Sequence, residues 1–390
     1  MFYWKHSGFY LFFFASVGAF MPYWSVYLQE MGFPPEQISA LIAIILGTKV
    51  IAPNVWGWLA DRSGRRVRII RVGMLFALVL FSGVTVAADF WQMALVLAAF
   101  GFFWNAVLPQ FEAVTLTRLG DEFHRYSSIR LWGSVGFIAS VSGLGSVFQR
   151  FGIEILPWIV LVLLAAILFS SLAVRENSIP KQFSADGQQP IQVASLMEVL
   201  KKPPVWALLM ACFFMQASHG PYYSFFTIFL EDNGYSRTVV GQLWALGVIA
   251  EVGVFLVMHR LLLRFGAWKL LLASLFLTAV RWLVIALFIE NLPVLLSAQL
   301  LHAASFGIYH AAAIQLIHLH FRGAFRGRGQ ALYSSLSFGL GGALGSLASG
   351  QVWARLGGTE TYLMGAVLAG LGFVVAYYGT RRNSLSASRS

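Results

Sequence analysis

The chain has 390 residues, 58% of them hydrophobic and 11% charged, with a formal net charge of +11. So little polar surface cannot cover a water-soluble fold of this length, which excludes a soluble protein and points to an integral membrane one. The positive charge would raise nucleic acid as a partner in a soluble chain, but here it sits in short turns between apolar runs, so none is expected.

Apolar runs of about 20 residues, enough helix to cross a ~30 Å hydrocarbon core, recur along the sequence. Twelve are predicted. In the first half they cover 7–30, 36–60, 69–88, 90–116, 129–149 and 154–174. In the second half they cover 204–230, 237–258, 268–289, 292–317, 329–351 and 359–379. The expected fold is therefore all-α and multi-pass, with six-helix bundles at 1–174 and 204–390 joined by a polar linker at 175–203. The first run is too long for a removed signal peptide and is read as a retained helix kinked at Pro22. The tails and the loops after even-numbered spans, taken with the first residues of the spans that follow, hold 22 of the 27 Lys and Arg, and the opposite loops, taken likewise, hold three. Both termini are accordingly expected in the cytoplasm.

Lys49 lies about 13 residues into the second span, near mid-membrane at ~1.5 Å per residue. Its charge is either open to an anionic substrate or held structurally. Tyr23, Trp24 and Tyr27 of the first span and Asn105 of the fourth are candidates for the wall of the same cavity. The turn GWLADRSGRRVR follows, carrying Gly57, Asp61, Arg62, Gly64, Arg65 and Arg66. It has one acid, no nucleophile with a base and no metal-ligand spacing, so it reads as a gate latch, with Arg118 as a candidate partner for Asp61.

After the linker, PYYSFFTIFLEDNGY at 221–235 repeats PYWSVYLQEMGF at 22–33, and an offset of 202 then sets Gly64 against Gly266 and Lys49 against Glu251. Two parallel repeats place a substrate path between the halves. His219, Tyr222 and Tyr223 in the seventh span extend the candidate substrate wall. Glu251 in the eighth, Arg281 in the ninth and His302 in the tenth are ionisable groups at mid-membrane depth, where each needs a partner or a wet cavity. Two uses remain open: a proton switch in which Glu251 takes the proton, or a permanent Glu251–Arg281 pair. The H-x-H of HLHFRGAFRGRG has no further ligands, so no metal or other cofactor is expected. The Gly- and Ser-rich eleventh span permits close packing, Cys212 has no partner for a disulfide, and RRNSLSASRS reads as a disordered tail.

The turn at 57–68 resembles the loop between helices 2 and 3 of the major facilitator superfamily. More specifically, FMPYWSVYL, RLWGSVGF, SHGPYYSF, YSRTVVGQLWALGVIAEV, VRW and the LLH beginning at Leu300 resemble the 3-phenylpropionate permease family, related to the lactose permease type. The resemblance implies two pseudo-symmetric bundles in a bacterial inner membrane and an inner-gate role for Asp61. It also implies proton coupling through Glu251, Arg281 and His302, with Lys49 where an arginine would be expected and no acid after His302. The expected function is monomeric, proton-coupled import of a small organic anion such as an aromatic monocarboxylate. A sugar or nucleoside symporter is the alternative and a proton-driven efflux antiporter the third reading; no enzyme activity is expected.

Overall fold

A computed structural model describes residues 2–175 and 193–387. The first bundle comprises α1 (Phe2–Glu30), α2 (Pro35–Ser63), α3 (Arg66–Ser82), α4 (Phe90–Leu119), α5 (Tyr126–Phe151) and α6 (Leu156–Leu172). A short α7 (Val193–Leu200) precedes the second bundle. That bundle comprises α8 (Pro203–Ser218), α9 (Gly220–Asp232), α10 (Arg237–Phe265), α11 (Ala267–Phe288), α12 (Leu292–Leu300), α13 (Tyr309–His320), α14 (Arg326–Ser334), α15 (Gly342–Leu356) and α16 (Gly358–Ala387).

Twelve apolar spans result among the described residues. Nine qualify for a bilayer by length and hydropathy alone, and α6 is a shorter apolar helix. The seventh span is α8 and α9, broken at His219. The eleventh is α14 and α15, joined by a π-helical stretch, Ser335–Gly341. A second π stretch, Ala303–Ile308, lies between α12 and α13 in the tenth span. Neither irregularity was expected from hydropathy, because a π turn keeps the chain apolar and helical while shifting its faces.

Local chemistry sets the helix starts. Asp89, Ser236 and Asn291 accept from the backbone N–H three residues on, at 2.9, 3.4 and 3.2 Å, and α2, α6, α8, α9 and α12 each begin with proline in the first turn. Both devices suit the unpaired N–H groups of a first helical turn. The repeat is visible in these bounds. Adding 202 to α2 gives α10 at both ends, and the two helices stop at Gly64 and Gly266, with φ of 64° and 76°. Glycine adopts that left-handed region without a Cβ clash.

The polar core of the expected linker, residues 176–192, lies outside the described residues, and its end is the helix α7 rather than loop. The expected disordered tail is corrected as far as Ala387, because α16 continues through it without a proline or further glycine to stop it. Residues 388–390 are outside the description. Pro22 does not interrupt α1.

The halves meet through α5 against α10 and α2 against the eleventh span, with α1 against α9 between them. Contact is tightest at the end away from the termini. There Arg237 of α10 pairs with Glu30 of α1 and, at 3.0 Å, with Glu231 of α9, while its backbone N–H donates to Gln149 at 2.8 Å. Thr227 donates across the halves to the Pro22 carbonyl at 2.5 Å, and within the first half Tyr23 donates to the Val141 carbonyl at 2.7 Å. Towards the termini the links between α2 and the eleventh span thin to Asn54 and Val50 with Ser335, each at 3.4 Å. The far end is closed.

Candidate functional site

Arg281 is fully buried, and its position decides the geometry of the second half. Its guanidinium donates to the Ala298 carbonyl (3.1 Å), Gln299 Oε1 (3.1 Å), Ser305 Oγ (2.8 Å) and His302 Nδ1 (3.1 Å), under the faces of Tyr222 and Trp282. Guanidinium has no acceptor, so His302 Nδ1 must accept and the ring proton sits on Nε2. That nitrogen stands 3.7 Å from Glu251 Oε2. The spacing is wide for a direct hydrogen bond and suits a bridging water or a small side-chain rotation. Arg281 and Glu251 are thus joined through the imidazole; the direct pair, the alternative left open by the sequence, is not formed here.

Glu251 has other neighbours. The charges of Arg130, on α5 of the first half, and of His310, on α13, both act on it. Arg130 also acts on Glu112 of α4, which accepts from Tyr126 at 3.2 Å, and its guanidinium lies 3.8 Å from the Phe14 ring centroid. His302, Phe306 and His310 stack successively along the tenth span, and His310 Nδ1 lies 3.1 Å from Tyr333 Oη. Sequence reasoning gave no role to Arg130 or His310. Arg130 is only the second residue of the expected fifth span, 129–149, where a basic residue reads as a helix-end charge; α5 begins a turn earlier, at Tyr126.

Across from this cluster, Lys49 makes no hydrogen bond or ion pair among the described residues. Its neighbour Thr48 accepts from Asn105 at 2.8 Å, and Asn105 also donates to the Ile45 carbonyl at 3.0 Å. The amide therefore braces α2 beside the lysine, with its donors committed to protein. Trp24 and Tyr223 face each other across a space of only about 10 Å³, with Trp24 Nε1 unpartnered. That is at most a single water's room between these two rings.

The sequence profile of the MFS_1 like family matches residues 3–364. The chain belongs to this family. It is 31% identical over 373 residues to the probable 3-phenylpropionic acid transporter of Escherichia coli (strain K12), covering 93% of this chain and 94% of that one. It is 25% identical to the maltose permease of Geobacillus stearothermophilus, covering 94% and 92%. In fold it is similar to the nucleoside transporter NupG, with a TM-score of 0.82 at 16% identity, covering 97% and 98%. The molecule is a multi-pass membrane transporter of the major facilitator type, and its relatives are transporters, not enzymes.

The remaining expected residues of this family member fall in several separate places. Tyr222 joins the Arg281 cluster, its hydroxyl donating to Gln299 Oε1 at 3.3 Å. His219 lies at the α8–α9 break, where Nδ1–H donates to the Met215 carbonyl at 2.8 Å and Nε2 is left without a partner. Tyr23 is placed elsewhere, as a strut at the closed far end. In the turn at 57–68, Arg66 pairs with Asp61 and donates to Gln110 Oε1 at 2.6 Å, tying the turn to α4. Gly57 lies against the Gln110 amide, Gly64 ends α2, Arg65 opens α3 and Arg62 covers the Trp58 ring. Arg118 lies beside Phe2 in a separate cleft, while Arg66 takes the partner's place expected of it at Asp61.

Proposed function

We propose that this transporter imports a small organic anion of the aromatic monocarboxylate class together with protons, as a monomer in a bacterial inner membrane with both termini in the cytoplasm. The observation that carries the proposal is the His302 ring, whose Nδ1 is held by Arg281 so that its Nε2 proton faces Glu251. A carboxylate among two imidazoles and an arginine, shielded from water, favours different partners when charged and when neutral. Arg130 belongs to the opposite half, so the charge of Glu251 bears on how the halves meet. Proton loading can in this way bias alternating access. Lys49, uncommitted at mid-depth, supplies the cation for a substrate carboxylate, and Trp24, Tyr222 and Tyr223 supply aromatic surface. The name of the Escherichia coli relative supports the substrate class.

A second reading, sugar import with protons, is favoured by two buried acids, Glu112 and Glu251, that both feel the charge of Arg130 and offer acceptors suited to hydroxyl groups, and by the maltose permease relative. One experiment separates the two. De-energised cells making the protein are placed in weak buffer, and external pH is followed after adding 3-phenylpropionate or a sugar panel. Alkalinisation with the acid alone, abolished by Glu251→Gln, is expected. A response to sugar alone supports the second reading, and acidification on adding substrate outside, as protons leave in exchange for it, supports an efflux antiporter.

A further inference from the structure

Where the termini emerge from the first bundle, the ends of α1, α4 and α6 enclose a cleft of about 270 Å³ walled by Phe2, Lys5, His6, Val114, Arg118 and Arg175. At ~30 Å³ per water this is room for about nine waters. Among the described residues its walls carry three cations and an imidazole and no carboxylate. The cluster lies apart from the Arg281, His302 and Glu251 site and plays no part in the transport reading.

Two local arrangements prepare this cleft for an anion. The carbonyl end of α6, which would repel one, is covered: Arg71 of α3 donates to the carbonyls of Ser171 at 3.4 Å, Leu172 at 3.3 Å and Val174 at 2.8 Å. That anchor leaves Arg175, the next residue, directed into the cleft wall. On the opposite side, Thr115 gives its hydroxyl proton to the Phe111 carbonyl at 2.9 Å, so His6 Nδ1, 2.9 Å from Thr115 Oγ1, is the donor in their bond. His6 Nε2 is thereby left as the ring nitrogen without the proton.

We propose that this cleft binds a phosphate group. Cations converging from three helices suit a tetrahedral polyanion with several acceptor oxygens better than a flat carboxylate, and apolar Phe2 and Val114 accommodate the carbon skeleton of an ester. The phosphate belongs either to the headgroup of an anionic phospholipid or to a soluble phosphate compound. By linking α1, α4 and α6, the bound group stabilises the first bundle.

The full-length protein in uncharged detergent is heated with inorganic phosphate, dihexanoyl phosphatidylglycerol or dihexanoyl phosphatidylcholine at matched ionic strength, and the unfolding midpoint is read from tryptophan fluorescence. A rise of about 2–4 °C with phosphatidylglycerol is expected, lost in Lys5→Gln/Arg175→Gln. The same variant-sensitive rise with inorganic phosphate assigns the site to phosphate compounds generally; a rise with phosphatidylglycerol alone assigns it to the headgroup. No rise with either, an equal rise with phosphatidylcholine, or a rise that the double variant keeps overturns the proposal. If the double variant starts from a lower midpoint, Lys5→Gln alone is titrated with phosphatidylglycerol. About tenfold weaker binding is then expected, and unchanged binding overturns the proposal.

Discussion

Lys49 and Arg281 are both cations at mid-membrane depth, but the structure gives them opposite circumstances. Arg281 is saturated by carbonyl, amide, hydroxyl and imidazole acceptors and capped by two aromatic faces, so its charge is spent on orienting His302. Lys49 has none of these partners. A charge-assisted hydrogen bond to a substrate carboxylate contributes about 1.5–3 kcal/mol, or roughly 10- to 100-fold in affinity. Lys49→Ala should weaken binding of an aromatic monocarboxylate by that factor while a neutral amide analogue changes less than twofold, as measured by competition binding. Equal losses for both would make the lysine structural. Lys49→Arg keeps the charge and should retain most of the affinity, with altered preference among anions because a planar fork replaces a point donor.

At the scale of elements, the α5–α10 seam shows how backbone approach rather than polarity controls a gate. Gly241 lies against the Val141 carbonyl and Gly145 against the Arg237 carbonyl, and the Tyr23 hydroxyl lies within 2.7 Å and 2.9 Å of where their Cβ atoms would stand. A side chain at either glycine must push the two helices apart. Gly241→Val should therefore destabilise the far-end-closed form by about 1–3 kcal/mol, the usual cost of overpacking. The measurement is the thermal midpoint together with transport rate, and both should fall; an unchanged rate would show that this seam need not close during the cycle. The segmented tenth and eleventh spans belong to the same scale. Their π stretches place His302 and His310 in one stack beside Glu251 and bring Tyr333 to His310, an arrangement a uniform α-helical period does not anticipate.

For the molecule as a whole, the distribution of cross-half bonds defines the state observed. Arg237 joins Glu30 of one half to Glu231 of the other at a partly exposed site, where such pairs are worth about 0.2–1 kcal/mol each. Only the Arg237–Glu30 pair crosses between the halves, so Arg237→Gln should shift the balance of closed and open far ends by roughly 1.4- to 5-fold. Thr227 reports this directly, because it is buried against the Pro22 carbonyl of the opposite half. Thr227→Cys should react faster with a small membrane-impermeant thiol reagent when Arg237→Gln is present, over a low background, since Cys212 is buried. An unchanged labelling rate would show that the apolar seam, rather than the ion pairs, holds that end shut.

Hydropathy and chain length against bilayer thickness determined twelve spans and two halves, because each span must satisfy its own backbone hydrogen bonds and bury its own length in lipid. Repeat and turn chemistry added the matched ends of α2 and α10 at Gly64 and Gly266, and the depth of Lys49, Glu251, Arg281 and His302 singled them out. These are local properties, legible residue by residue. Which charges meet is not local: Glu112, Arg130, Glu251, Arg281 and His302 come from five helices, and each residue of rotation about a helix axis turns a side chain by ~100°. Only the packing of those helices could place His302 between Arg281 and Glu251, set Arg130 over the Phe14 ring, leave Lys49 without a hydrogen bond or ion pair among the described residues and tie the Tyr23 hydroxyl to the Val141 carbonyl.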